Sequence, residues 1–135
     1  MELIFENVHG GVRYDRKRQI LQYKFVGMVR PELVKEVTGA GLKFAATNKV
    51  TGSTADLSEL SGTFTALNDY LINEYFPPMI QKGLICHAII VPHDIFTRFA
   101  ANALLQRMGD FTMRTFDNDV DAIQWVYEMI GVPVS

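Results

Sequence analysis

The chain has a single cysteine among its 135 residues, so no internal disulfide can staple it. Cys86 falls inside the apolar stretch Leu84-Ile85-Cys86-His87-Ala88-Ile89-Ile90-Val91 and reads as a small buried hydrophobe rather than a reactive thiol. No apolar run approaches the ~20 residues that a membrane span needs, which excludes an integral membrane helix. The opening Met1-Glu2-Leu3-Ile4-Phe5-Glu6 lacks the basic stretch and cleavage site of a secretory signal, so a cytoplasmic location is expected. Charge of one sign is scarce as well. The net charge is −2, too small for a nucleic-acid footprint. His9, His87 and His93 sit on separate segments and, with one cysteine, offer no metal-ligand spacing. Gly10-Gly11 leads into a strand pattern, not the helix that a phosphate loop or dinucleotide fingerprint requires, so no cofactor is expected.

What is present is the balance of an ordinary globule, with 48% apolar and 21% charged residues. Neither repeats nor low-complexity linkers interrupt it, so residues 1–135 are expected to form one domain with a core of its own. Its charge is uneven: residues 1–48 carry +3 and residues 49–135 carry −5. The one basic cluster, Arg13, Arg16, Lys17 and Arg18, lies where a hairpin tip is expected. It reads first as a solvated turn, with weak contact to an anionic membrane surface through Arg16, Lys17 and Arg18 as the other use of such a cluster.

The second half repeats one cadence three times: apolar strand, polar turn, amphipathic helix. The pairs fall at 50–57 with 64–81, 84–91 with 95–108, and 112–116 with 120–130. A strand–helix–strand crossover returns in the same direction, so the last three strands are expected to run parallel. Before them, strands over 2–8, 12–15 and 19–28 alternate in the period of a pleated sheet and form an antiparallel meander, turned at His9-Gly10-Gly11. Pro31 starts a helix running to about Thr47, in which Gly39 and Gly41 each lower helix propensity by about 1 kcal/mol. The expected architecture is an α/β fold: a mixed sheet with about four helices against it. Pro77-Pro78 should break the second helix, with a restart at Met79-Ile80. The third is expected to bury Phe96, Phe99, Ala100, Ala103 and Leu104, the fourth Val120, Ile123, Val126, Tyr127 and Ile130, with Trp125 on its flank.

The strand end Ala55-Asp56-Leu57-Ser58 and the ending Arg114-Thr115-Phe116-Asp117-Asn118-Asp119-Val120-Asp121-Ala122-Ile123-Gln124-Trp125 resemble the SpoIIAA-like proteins over roughly residues 2–130. That family is related to STAS domains and, more distantly, to CRAL-TRIO lipid-transfer domains. The resemblance implies a regulatory or ligand-binding role rather than catalysis. Anti-anti-sigma STAS domains carry an Asp-Ser-Ser-Gly turn whose serine is phosphorylated. This chain reads Asp56-Leu57-Ser58-Glu59-Leu60-Ser61-Gly62-Thr63 instead, with Ser61-Gly62 a partial echo.

Parallel strands bring their outgoing loops to one rim. That rim would hold Ser58, Ser61, Thr63, His93, Asp94, Asp117, Asn118 and Asp119. Residues of these types before an apolar run are usually helix caps, yet the exposed helix amides could also hold an anion or a phosphorylated side chain. Ser58 and Ser61 are the candidate phosphorylation sites. A hydrolase set of one serine with His93 and Asp94 is disfavoured, because sequence neighbours rarely present a base and its orienting acid correctly, and no Gly-x-Ser-x-Gly elbow exists. A third reading uses Tyr70, Tyr75, Phe76, Met79 and Trp125 as the lining of an apolar pocket or an interface. The leading expectation is a non-catalytic regulatory or partner-binding module, acting on a protein or a small anion. The alternative is a carrier of a lipid or other apolar ligand beneath residues 70–79. A homodimer through the first hairpin's edge or the Trp125 helix is the further expectation about partners.

Overall fold

The computed structural model describes residues 1–132; residues 133–135, the last of the expected domain, lie outside the described residues. Six strands form one sheet in sequence order: β1 (Glu2–Glu6), β2 (Gly10–Asp15), β3 (Ile20–Met28), β4 (Gly52–Ser61), β5 (Cys86–Ile90) and β6 (Thr112–Phe116). The first two pairings are antiparallel and the last three parallel. Helix α1 (Pro31–Ala45) makes the crossover from β3 to β4, so four strands share one direction. Loops leaving β3, β4, β5 and β6 therefore all emerge at the same edge of the sheet.

Strand alternation divides the core in two. Tyr14, Leu21, Tyr23, Phe25 and Ile89 face α1, a segmented helix α2 (residues 65–81), and α3 (Ile95–Met108). Ile20, Cys86, Ala88 and Ile90 face the opposite way, against Ala122 and Val126 of α4 (Asp119–Ile130). Cys86 is fully buried and its thiol is pushed up to about 11 by burial, so it behaves as an inert small hydrophobe.

Segmentation of α2 has a covalent cause. Pro77 and Pro78 have no N–H to return to the preceding turn, and a regular helix cannot be completed there. The chain takes a 3-10 turn (Thr65–Leu67), a short α piece (Asn68–Tyr70) and a wide π turn (Leu71–Tyr75). The amide of Phe76 reaches five residues back to the Leu71 carbonyl. The prolines then occupy the opening positions of a new α piece, Phe76–Gln81. The break thus precedes the prolines, rather than following them at Met79-Ile80.

Three other sequence expectations change. Gly10-Gly11 lies inside β2, and the reversal is made by Asn7, whose Oδ1 accepts from the amides of His9 (2.9 Å) and Gly10 (3.1 Å). His9, expected in that turn, is buried, and its Nε2 accepts the Arg30 amide at 3.2 Å. Phe96 and Phe99, expected inside, are 63% and 66% exposed. The buried face of α3 is made by Thr97, Ala100, Ala101 and Leu104. Their small side chains let the helix lie close on the core, and that choice of face turns both rings outward. Val120 is likewise exposed at the start of α4.

Candidate functional site: the rim at the ends of the parallel strands

The rim is organised by one carboxylate. Asp94 caps α3 by accepting the Phe96 amide at 3.3 Å, and its second oxygen accepts the Gly62 amide, 32 residues earlier, at 2.8 Å. The Thr97 hydroxyl shares its proton between the Gly62 carbonyl (2.7 Å) and Asp94 Oδ2 (2.9 Å). The turn after β4 is thereby fastened to the N-terminus of α3. The Thr97 hydroxyl, with the amides of Gly62 and Phe96, holds the Asp94 carboxyl below the usual carboxylate range, so it is ionised near neutral pH. Replacing Asp94 by alanine is expected to release the turn. Hydrogen-exchange protection of the Gly62 amide should fall by roughly tenfold or more, while the β5 amides stay protected. Unchanged protection at Gly62 would mean that the turn is held by something other than this carboxylate.

The third loop is capped independently. Asn118 Oδ1 accepts the Asp121 amide at 2.9 Å, and Asn118 Nδ2 donates to Asp121 Oδ2 at 3.0 Å, closing the first turn of α4. Asp117 is exposed and lies 3.5 Å from Arg98 of α3, a weak surface link between the two loops.

The expected site residues are distributed as follows. Thr63, His93, Asp94, Asp117 and Asn118 all sit in the loops at this edge. Ser58 does not: β4 runs on to Ser61 alongside β3, past the end of β5, and Ser58 is an exposed residue of that strand. Its amide donates to Asp56 Oδ1 at 2.9 Å, where the β3–β4 register shifts. Ser61 ends the strand half-buried, paired with Met28, and the loop proper begins at Gly62. Thr63 is exposed at the turn into α2, with its hydroxyl 2.7 Å from that of Thr65. His93 is exposed on the loop that precedes Asp94.

The region around residues 70–79 is packed rather than hollow. Tyr75, Phe76 and Met79 are each exposed by 2% or less. The space beside them, lined by Tyr23, Leu57, Tyr75, Phe76 and His87, is a cavity of about 70 Å³. Ligand pockets run to ~300 Å³ and above, so the expected carrier pocket is absent here. The reason is the wide π turn, which drives Tyr75 inward until its hydroxyl meets that of Tyr23 at 2.6 Å. Tyr70 is half-buried, its hydroxyl 2.7 Å from that of Thr38. Trp125 is half-buried against Phe116, with ring centroids 5.5 Å apart. Two of the hairpin cations are engaged, Arg16 by Glu2 at 2.7 Å and Arg18 by Asp15 at 3.2 Å. Arg18 also lies over the Tyr127 ring.

A larger depression was not anticipated. On the α4 side of the sheet that helix packs against β4, β5, β6 and the start of β3 at Ile20, and leaves β1, β2 and the rest of β3 uncovered. The result is an open groove of about 620 Å³. No local pattern announces it, because it exists only where a short helix fails to span a wide sheet.

A mixed six-stranded sheet, helices on both faces and capped loops at one edge define a small α/β domain. No family model matches the sequence, and no curated protein matches it. Among solved structures it is similar to the anti-sigma factor antagonist SpoIIAA in its unphosphorylated form, with a TM-score of 0.62 and 10% identity. That match covers 92% of this chain and 98% of SpoIIAA. It is also similar to an uncharacterized protein of the DUF3478 family, with a SpoIIAA-like fold, from Shewanella loihica (TM-score 0.57, 22% identity). There the match covers 90% of this chain and 98% of the other. The chain has the SpoIIAA-like fold. No described helix is long and apolar enough to cross a membrane.

Proposed function

We propose that this chain is a non-catalytic regulatory module, a single domain working in the cytoplasm, that binds a protein partner through the rim of Ser61, Thr63, His93, Asp94, Asp117 and Asn118. The observation that carries the reading is the Asp94 bridge. A carboxylate that joins the β4 turn to α3 makes two of the rim's three loops one preformed surface. The likeness to SpoIIAA, an anti-sigma factor antagonist compared in its unphosphorylated form, supports a regulatory role and directs attention to the serines. Ser61 and Ser58 remain the candidate modified residues. A phosphoryl group on Ser61 would stand next to Gly62, whose amide already serves Asp94, and two anions competing for one donor would loosen the bridge.

The test begins with partners captured by the tagged wild-type protein and identified by mass spectrometry. Their affinity is then measured for the Ser58→Ala, Ser61→Ala and His93→Ala variants. At least a tenfold loss for a rim variant is expected, about 1.4 kcal/mol of binding. If every captured partner binds all three variants as tightly as wild type, the rim is not the working surface. Native mass spectrometry of freshly purified protein, beside the denatured mass, checks the other branch. A retained small molecule would replace the protein partner with a ligand.

A further inference from the structure

The junction between β3 and α1 is short, Val29 and Arg30 alone, and the residue that follows, Pro31, has no N–H to give. Two amides therefore fix it. Val29 donates to the Ser61 carbonyl at 3.1 Å, on the rim side, and Arg30 donates to His9 Nε2 at 3.2 Å, on the other. The Arg30 carbonyl then starts α1, accepting the amides of Leu33 (3.0 Å) and Val34 (3.1 Å). Ser61 is followed by Gly62, whose amide serves Asp94. Hydrogen bonds thus run from His9 through the junction to the carboxylate that organises the rim.

A backbone amide can only donate, so the imidazole nitrogen that meets it must carry a lone pair. The neutral ring has one such nitrogen and the protonated ring has none. A proton at Nε2 would set two donors against each other and leave the Arg30 amide without an acceptor. The surroundings offer a charged ring little in exchange. On the α1 side stand Arg30 and Glu32, 3.6 Å from each other, and Glu36, which takes the Asn7 side-chain amide at 3.1 Å. From β3 the ring meets Phe25, with centroids 5.9 Å apart, and the Val26 backbone. Glu6 and Lys24, the neighbouring charges of β1 and β3, line the groove on the opposite face of the sheet. Burial holds the imidazole below its ordinary 6.5, and the Val26 backbone offsets this only in part.

His9 differs from His87 in having a way out. His87 is enclosed in the middle of β5, whereas His9 lies just behind the crest of the β1–β2 turn, where Val8 is 81% exposed. Turning the ring into water moves that turn and leaves the sheet folded.

We propose that His9 is a proton-sensitive latch on the rim: the neutral ring holds Arg30 in place, and protonation frees the ring, the junction and, through Val29, the end of β4 at Ser61. The latch rests on the reading of the rim above only for its consequence, the regulation of partner binding. The open ring titrates at the ordinary 6.5 and the latched ring lower, so below 6.5 protons favour opening, by up to about tenfold for each pH unit.

The experiment is an NMR pH titration of the full chain from pH 7.5 to 4.5, with wild type beside His9→Gln, whose side-chain oxygen can accept the Arg30 amide but cannot titrate. In wild type the Arg30 amide proton should move upfield on the same curve as the His9 ring, with a midpoint below 6.5, and the Val29 amide should move with it. Amide exchange gives the size of the opening. The exchange rate of Arg30 in wild type, divided by that in His9→Gln, should rise by roughly fivefold or more between pH 7 and pH 5. Taking the ratio removes the acid sensitivity that both proteins owe to His87. If His9→Gln does not fold, the coincidence of the ring and amide curves in wild type decides alone. A His9 ring that stays neutral to pH 4.5 or titrates at 6.5 or above would overturn the latch. So would an Arg30 amide that ignores the titration of the ring, or an equal change in His9→Gln. None of these readouts involves a partner, so a rim that captures nothing leaves the latch standing, and a failed latch leaves partner binding at the rim to its own test.

Discussion

Lowering the pH from 7 to 5 is expected to remove about 2 kcal/mol of stability, and the loss should reach about 4–5 kcal/mol near pH 3. The cause is His87, in the middle of β5. Its Nδ1 lies 2.6 Å from the Ser53 hydroxyl and its ring meets Phe76 edge-on, with centroids 5.2 Å apart. Burial pushes the imidazole down to about 3, because a charged ring there would sit among aromatic and aliphatic groups, with no carboxylate among the described residues that line the space beside it. In the unfolded chain the same ring titrates near 6.5. Between those two values the unfolded state binds more protons than the folded one, so stability rises with pH across that window and drains away as pH falls through it. His9, also lowered by burial, acts in the same direction. Asp94 works lower: its pKa is depressed, so its contribution persists above the ordinary carboxylate value of 3.8 and is lost only as pH falls through the folded one. The check is urea unfolding of wild type and His87→Gln from pH 7.5 to 4. The variant keeps an amide for Ser53 and cannot ionise. It should be less stable at pH 7.5 but markedly flatter down to pH 4.5. Parallel curves would place the acid sensitivity elsewhere.

Two glycines of α1, two positions apart, should respond to alanine with opposite signs. Helix propensity alone favours both substitutions by about 1 kcal/mol each. At Gly39 nothing lies within 4 Å of where a methyl would be, so that gain should survive almost whole and raise the Tm by about 3 °C. At Gly41 the methyl would overlap the Tyr23 hydroxyl, and Tyr23 cannot yield because that oxygen is held 2.6 Å from the Tyr75 hydroxyl. Overpacking of this kind costs about 2–3 kcal/mol, more than propensity returns, and the Tm should fall by about 5 °C or more. Tyr23→Phe combined with Gly41→Ala should recover part of the loss. Recovery cannot be complete, since the ring carbon bearing the hydroxyl would still be 3.0 Å from the methyl. A stabilised Gly41→Ala would show that the sheet and helix can separate here at little cost, contrary to the close approach described.

Those two positions also mark how far the chain could be read without its fold. Propensity assigns Gly39 and Gly41 the same penalty, because it knows only the helix they belong to. Their difference belongs to Tyr23, eighteen residues away on β3. The same holds for the prolines. Their incompatibility with a regular helix is local and legible, but the place where the helix widens depends on Tyr75 finding Tyr23.

In the site, the capping roles of Asp94 and Asn118 follow from residue type and position before an apolar run. The hydrogen bond from Gly62 to Asp94 does not, and neither does the placement of Ser58 within β4, because β4 lengthens by pairing with β3 after β5 has ended. For α3, apolar periodicity marks Phe96 and Phe99 as large and apolar, and such residues are normally inside. Which stripe of a helix turns inward is decided by the surface it meets, and the alanines with Thr97 fit that surface more closely than two rings could.

By itself the sequence determined the alternation of strand and helix, the mixed sheet, the direction of its last strands and the edge at which their loops emerge. Each of these follows from short-range periodicity and from the length of chain needed to cross a sheet. Only the tertiary structure decided which apolar residues stay in water, which histidines lose it, and where half of a sheet face is left uncovered. Those outcomes depend on the summed packing of segments far apart in the chain, which no local pattern carries.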